Sequence, residues 1–195
     1  MILLVRHGET FWNRERRIQG HTESALTPLG ERQAAAMARL VADLVRREPG
    51  DWSLVCSPIG RARQTADAVA EATGLEPDVD HRLSEIFCGE WEGHLWADIS
   101  LRYPEAAGTG DQFFLAPGGE TYEDVMGRAS DWLSSLPAEP ERKVIAVSHG
   151  VWGRLLRGAY AGLDRATTVA QHVPQDAIFR LQNGQIDRFD CEPVE

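Results

Sequence analysis

The chain has 195 residues, with 20 Lys and Arg against 30 Asp and Glu and a formal net charge of −10. That balance excludes the broad basic face that non-specific nucleic-acid binding needs, but it allows a small basic pocket, because the local field decides what binds there. With 43% hydrophobic residues the chain can build a proper core, and its length predicts one domain, 1–195, with room for a modest insertion.

Cys56, Cys88 and Cys191 are odd in number and show no C-x-x-C spacing. They predict free thiols in a reducing compartment, not a disulfide frame or a zinc site. The N-terminus enters a strand without a signal-peptide apolar region, and no apolar run reaches membrane-spanning length, so the expectation is a cytoplasmic protein with no membrane partner.

The run Met1-Ile2-Leu3-Leu4-Val5 predicts a short strand buried on both faces. It ends in Arg6-His7-Gly8, and ligands of open α/β sheets bind outside the carboxyl ends of the strands. Gly8 permits a tight turn or a close approach of backbone to a ligand. The polar and basic segment 11–22 reads as a loop over that end, in which Arg14, Arg16 and Arg17 are each as compatible with a solvated surface as with a ligand.

Thr27 as cap and Pro28 at the first position predict a helix. Leu29, Met37, Leu40, Val41 and Leu44 fall on its inward face. A second strand, Trp52–Cys56, leads into Ser57-Pro58-Ile59-Gly60-Arg61, where Ser57 predicts a cap and Pro58 the first position of another helix. Arg61 then lies in the first turn, where a cation is unfavourable for the helix itself and an anion is favoured. That misfit points to a ligand. The alternation of strand and helix predicts a βαβ pattern and a mostly parallel sheet.

The pattern breaks between Pro77 and Gly119. Glu85, Glu90 and Glu92 sit among apolar residues and glycines, followed by Trp96, Tyr103, Phe113 and Phe114 among prolines and glycines, Gly108 included. This stretch, about 83–120, predicts a lid folded over the site. Its aromatics either line a pocket or anchor the lid.

Thr121 with Asp124 resembles a capping box for a helix with a core stripe from Tyr122 to Leu136. The run Lys143–Ser148 predicts another buried strand, ending in His149-Gly150, and a helix follows from about Val151 to Gly162. Asn183-Gly184 between two alternating runs predicts a hairpin.

Three strand ends thus supply Arg6 with His7, Ser57 with Arg61, and His149. Two guanidiniums and two imidazoles suit a phosphoryl group, which arginine matches bidentately. One imidazole can attack phosphorus and form a phosphohistidine, while the other groups hold the charge on the equatorial oxygens. The leaving alkoxide needs a proton, and Glu85, with apolar neighbours that desolvate it, is the best placed of the three carboxylates to supply it. His21, His81, His94 and His172 are scattered and read as surface or core residues. No spacing suggests a metal, and the glycines match neither a Walker loop nor a dinucleotide fingerprint, so no cofactor is expected.

These residues resemble the histidine phosphatase superfamily, also called phosphoglycerate-mutase-like. The resemblance rests on Arg6-His7-Gly8-Glu9-Thr10 with Trp12-Asn13, Gln19-Gly20, Leu26-Thr27-Pro28-Leu29-Gly30, Ser57-Pro58-x-x-Arg61-Ala62-x-Gln64-Thr65 and Leu83-x-Glu85. It continues through Gly89-x-Trp91-Glu92-Gly93, Pro117-Gly118-Gly119-Glu120 and Ser148-His149-Gly150. It implies a three-layer α/β/α sandwich with a mostly parallel sheet and a cap insertion over the C-terminal strand ends. It further implies His7 as the phosphorylated nucleophile, Arg6, Arg61 and His149 as the phosphate pocket, Asn13 on the phosphate, and Glu85 as proton donor. Gln19 and Gly20 are further substrate-side candidates, and Ser57 and Gly150 belong to the same motifs.

The short chain and Gly89-Glu90-Trp91-Glu92-Gly93 look more like the family's small-molecule phosphatases than its mutases. The expected function is metal-independent hydrolysis of a small phosphorylated metabolite, with a homodimer as the family's usual assembly. A 2,3-bisphosphoglycerate-dependent phosphoglycerate mutase is the alternative. A catalytically inactive module that binds a phosphorylated ligand is a second alternative, disfavoured by Glu85, whose carboxylate repels phosphate unless it serves as an acid.

Overall fold

The computed structural model describes residues 1–104 and 110–194. In chain order its elements are β1 (Ile2–Arg6), α1 (Phe11–Arg14), α2 (Pro28–Arg47), β2 (Ser53–Cys56), α3 (Gly60–Thr73), β3 (Pro77–Val79), α4 (Trp96–Arg102) and α5 (Tyr122–Ser135). They continue with β4 (Val144–Ser148), α6 (Gly150–Ala161), α7 (Arg165–Val169), β5 (Ala177–Gln182) and β6 (Gln185–Asp190).

The six strands form one sheet in the order β3-β2-β4-β1-β5-β6. β1, β2, β3 and β4 pair in parallel, whereas β5 runs antiparallel to both β1 and β6. The sheet is therefore mixed, with the antiparallel hairpin at one edge. Alternation along β1 separates the layers. Leu3 and Val5 pack with Met37 and Val41 of α2 and Ala62 and Val69 of α3. Ile2 and Leu4 face the other way, onto Trp132 of α5 and Trp152 and Leu155 of α6. Both faces of the central strands are covered, which is why β1 and β4 read as unbroken apolar runs.

Register puts the chemistry at one edge. Arg6 pairs with Ser148, so His7 and His149 leave the sheet side by side. The His7 amide donates to Ser148 O (3.1 Å) and the Ser57 amide to Val147 O (3.0 Å). Since β4 lies between β2 and β1, Ser57, His149 and His7 emerge from adjacent strands.

Several local expectations are met. Thr27 Oγ1 accepts from the Gly30 amide (3.0 Å), and Thr121 and Asp124 form a full capping box. Asn183 (φ 52°) and Gly184 (φ 73°) make the hairpin turn with both central residues left-handed, as a two-residue turn requires.

Others are corrected. Ser57 is not the cap of α3. The N-cap is Ile59 and the helix starts at Gly60; the Ser57 hydroxyl accepts from the Ile59 amide (3.2 Å) just ahead of the helix and also bonds His149 Nε2 (2.7 Å). Segment 11–22 is not wholly a loop, since Thr10 and Asn13 form a reciprocal capping box that closes the single turn of α1. The edge strand β3 and the short α7 were not foreseen. Of segment 83–120, residues 105–109, Gly108 included, lie outside the described residues. The rest holds α4 and short 3₁₀ turns at Gly89–Trp91 and Gln112–Leu115. Phe114 anchors it by packing on Tyr122 of α5, and Tyr103 packs within it on Trp91.

Gly8 is needed for a reason different from the one expected. A Cβ there would lie 2.1 Å from Gly30 O. The close approach is to the first turn of α2, not to a ligand.

Candidate active site

The strand ends open into a cleft of about 180 Å³ lined by Arg6, His7, Asn13, Gln19, Gly20, Arg61, Glu85 and Gly150 among others. Eight of the ten expected site residues therefore share one cavity. The other two stand directly behind it. His149 is buried with its ring centroid 5.2 Å from that of His7, and its Nε2 lies 2.7 Å from Ser57 Oγ.

His7 Nδ1 lies 2.8 Å from Gly8 O. A carbonyl oxygen only accepts, so Nδ1 carries the hydrogen and Nε2 is left with the lone pair. Burial pushes the His7 pKa well below its ordinary value, and Arg61 and Arg6 push it further, against the opposing Gly8 hydrogen bond. Burial also holds His149 well below its ordinary value, aided by Arg61, His7 and Arg6. Both rings are neutral near pH 7. His7 is thus a buried, unprotonated imidazole with a fixed tautomer, the state a nucleophile requires.

The cations are held by backbone carbonyls, not by carboxylates. Arg61 donates to Thr22 O (3.0 Å) and Gly20 O (2.7 Å), and Arg6 donates to Val173 O. The Nε of each has no partner among the described residues. Burial lowers the Arg6 pKa to about 10 and lowers that of Arg61 as well; both stay charged at neutral pH. Two guanidiniums with unspent donors and no carboxylate salt bridge among the described residues have the chemistry of an anion site.

Gly20 contributes its carbonyl to Arg61. Its φ is +53°, and a Cβ there would collide with the Glu92 carboxylate at 1.8 Å. Arg6 packs on the start of α6 at Gly150, where a Cβ would stand at ordinary contact distance, 3.4 Å, from Arg6 Nε.

Glu85 lines the same cleft. Its carboxylate accepts from the amides of Ile86 (3.1 Å), Val151 (3.2 Å) and Trp152 (3.0 Å), so it caps the N-terminus of α6, which has no side-chain cap of its own. Arg128 fixes the backbone beneath it by donating to the carbonyls of Arg82, Ser84 and Glu85. Of the other two carboxylates, Glu90 is exposed. Glu92 binds the amides of His21, Thr22 and Cys88 and the Thr22 hydroxyl. It organises the loop whose carbonyls hold Arg61.

Of the remaining walls, the sequence left Trp96 and Phe113 as either pocket or anchor and Arg17 as either surface or ligand, and did not single out Arg154. Trp96 and Phe113, edge to face with centroids 5.0 Å apart, line the cleft together with Arg17 and Arg154. Arg14 is exposed and paired with Glu9, and Arg16 is exposed. Arg154 bonds Gln171 O through Nε (2.8 Å). Its position one helical turn after Gly150 was the available signal, because residues four apart share a face. His81, His94 and His172 are exposed; His21, also exposed, donates to Glu85 O (2.7 Å). Among the described residues no group of three or more His, Cys, Asp or Glu could hold a metal ion, and no helix is long and apolar enough to cross a membrane.

Residues 2–186 match the family model of the histidine phosphatase superfamily, branch 1. The chain belongs to this family. A probable phosphoglycerate mutase of Serratia proteamaculans is 40% identical over 195 residues, covering 97% of this chain and 84% of that protein. A protein of the same description from Erwinia tasmaniensis is 33% identical, with the same coverage. Among solved structures, a mycobacterial glucosyl-3-phosphoglycerate phosphatase in complex with VO3 superposes with a TM-score of 0.79 at 30% identity, covering 92% of this chain and 90% of that one. Phosphatase or mutase chemistry on phosphorylated substrates is what the family and these relatives support.

Proposed function

We propose that the protein is a metal-independent phosphomonoesterase that hydrolyses small phosphorylated metabolites through a phosphohistidine at His7. The observation that carries this reading is the fixed tautomer of His7, with Nδ1–H on Gly8 O and the Nε2 lone pair beside two arginines that hold unspent donors.

The phosphoryl oxygens lie on Arg6, Arg61 and the Asn13 amide, with Gln19 at the rim and His149 behind. His7 Nε2 attacks phosphorus. A P–N bond forms and the P–O bond to the leaving group breaks, while Glu85 gives its proton to the departing alkoxide oxygen. The alcohol leaves, and Glu85 takes a proton from an entering water as that water attacks phosphorus. The P–N bond then breaks, releasing orthophosphate and restoring neutral His7 and protonated Glu85. The arginines stabilise the charge on the three non-bridging oxygens in both steps. Segment 83–120 acts as the cap over the leaving-group side, with Trp96 and Phe113 as its apolar wall.

Mutase activity is the second reading, favoured by the description of the Serratia and Erwinia relatives. The two reactions share the phosphohistidine and differ in whether water reaches it. The test is one incubation with 3-phosphoglycerate in EDTA and a trace of 2,3-bisphosphoglycerate, following orthophosphate and 2-phosphoglycerate together. Orthophosphate without isomer supports the hydrolase, to be followed by a panel of phosphomonoesters. Isomer without orthophosphate overturns it in favour of the mutase.

A further inference from the structure

Between α7 and β5 the chain crosses the back of the site as an irregular strap, and three arginines grip three consecutive carbonyls of it. Arg154 Nε donates to Gln171 O (2.8 Å), Arg157 to His172 O (2.6 Å), and Arg6 to Val173 O. The strap then delivers Gln175, whose Nε2 lies 3.2 Å from His7 O and 3.0 Å from Asn13 Oδ1.

The identity of every atom in this contact follows from groups with a single role. His7 O is a carbonyl and only accepts, so the Gln175 atom facing it is the NH₂ nitrogen. The Thr10 amide only donates, and it lies 3.2 Å from Asn13 Oδ1, so that atom is the oxygen. Asn13 Oδ1 therefore accepts from both Thr10 and Gln175, and both of its lone pairs are used. The Asn13 NH₂ has no protein acceptor among the described residues, while Asn13 lines the cleft.

We infer that Gln175 is a positioning residue. By taking the second lone pair of Asn13 Oδ1 it holds the Asn13 amide in the one orientation that turns its NH₂ toward the bound phosphoryl group. Without Gln175 the Thr10 bond alone opposes rotation about the terminal torsion, and a rotated amide would present its oxygen to the anion. The inference rests on the phosphate-pocket reading above, but not on turnover.

The test is a double-mutant cycle read by orthophosphate binding to the full chain, with Gln175→Met, Asn13→Ala and the double variant. Met keeps the length of the side chain and removes the donors. A lost hydrogen bond to a charged group weakens binding about tenfold to a hundredfold, and that loss is expected for Gln175→Met alone. In the Asn13→Ala background the same change should alter affinity by less than about twofold, the scatter of independent sites. An equal loss in both backgrounds, or no loss in the single variant, overturns the inference. If Gln175→Met lacks a cooperative thermal transition, Gln175→Ala goes through the same cycle. A wild type that binds orthophosphate but releases none from any phosphomonoester would overturn the hydrolase reading and leave this cycle fully readable.

Discussion

The Glu85→Gln substitution isolates the proton that the leaving alkoxide needs. Glu85 has two jobs in this structure. Its carboxylate accepts the amides of Ile86, Val151 and Trp152, and it faces the cleft. Removing the side chain altogether leaves the first turn of α6 uncapped, which costs about 1–2 kcal/mol. Glu85→Gln keeps one acceptor oxygen at the same reach but turns an NH₂ toward one of the α6 amides, so its stability loss should be about 1–2 kcal/mol in chemical denaturation. Its catalytic loss should be larger. General acid catalysis is worth about 10²–10⁴ in rate, and at about 1.36 kcal/mol per factor of ten this is about 2.7–5.4 kcal/mol of transition-state stabilisation. That loss is expected in kcat/KM for alkyl phosphates, whose leaving oxygen must be protonated. For p-nitrophenyl phosphate, whose phenolate leaves unaided, the loss should be less than about tenfold. The same fold loss on alkyl and nitrophenyl esters would refute the assignment and return Glu85 to a purely structural cap.

His7→Asn should form no trapped phosphoenzyme in a rapid quench with a labelled phosphomonoester, whereas Glu85→Gln should still form it from nitrophenyl phosphate; label retained in His7→Asn would place the nucleophile elsewhere. Turnover should survive EDTA, and a complete loss restored only by a divalent cation would overturn the metal-independent reading. The two buried imidazoles should make the fold acid-sensitive. Burial, with Arg61 and Arg6 beside His7, holds both histidines below their ordinary value, so below about pH 6.5 the unfolded chain takes up protons that the native state does not. Stability should thus be flat above about pH 6.5 and fall as the pH drops from there toward 5, less steeply in His149→Gln; an unchanged slope in that variant counts against the account. Gly8→Ala should destabilise by about 1–3 kcal/mol or more, since its Cβ meets backbone at Gly30 O; a thermal midpoint unchanged from wild type would contradict the packing described.

What could be read from the sequence was whatever short-range chemistry encodes. Arg6 and His7, and likewise His149, follow apolar runs that can only be central strands, so the sheet edge they reach was legible from five residues on either side. Thr27-Pro28 and Asn183-Gly184 each specify one local geometry. Ser57-Pro58 shows the limit of such rules. It has the form of a cap, and its hydroxyl does accept the local Ile59 amide, but it also bonds His149, 92 positions away, and the helix starts later, at Gly60. Gln175 and Arg128 were invisible for the same reason, and Glu92 was legible as a lid carboxylate but not as the acceptor that organises the loop at Gly20. Each acts on carbonyls or amides distant in sequence, and no periodicity marks a residue whose partner is set only by tertiary folding. Trp96 and Phe113 were seen as lid aromatics, but whether they lined or anchored was undecided, because both uses bury an aromatic face.

In the proposed reaction, the arrangement gives a reason for Arg6 and Arg61 to occur together with the two imidazoles. Arg6 and Arg61 are anchored by carbonyls of Val173, Gly20 and Thr22, groups that hold a guanidinium in place without neutralising it. The positive field that results attracts a phosphoryl dianion, and it also adds to the burial that keeps His7 unprotonated. A carboxylate partner on either arginine would weaken both effects. When a dianion enters, it offsets the field, and the imidazoles become more basic at the moment the anion is in place. As the proposed nucleophile, His7 would thereby be neutral before binding and better able to carry charge after it, with Nδ1–H on Gly8 O fixing the tautomer. This coupling needs only that the three central strand ends be adjacent, which the order β2-β4-β1 provides.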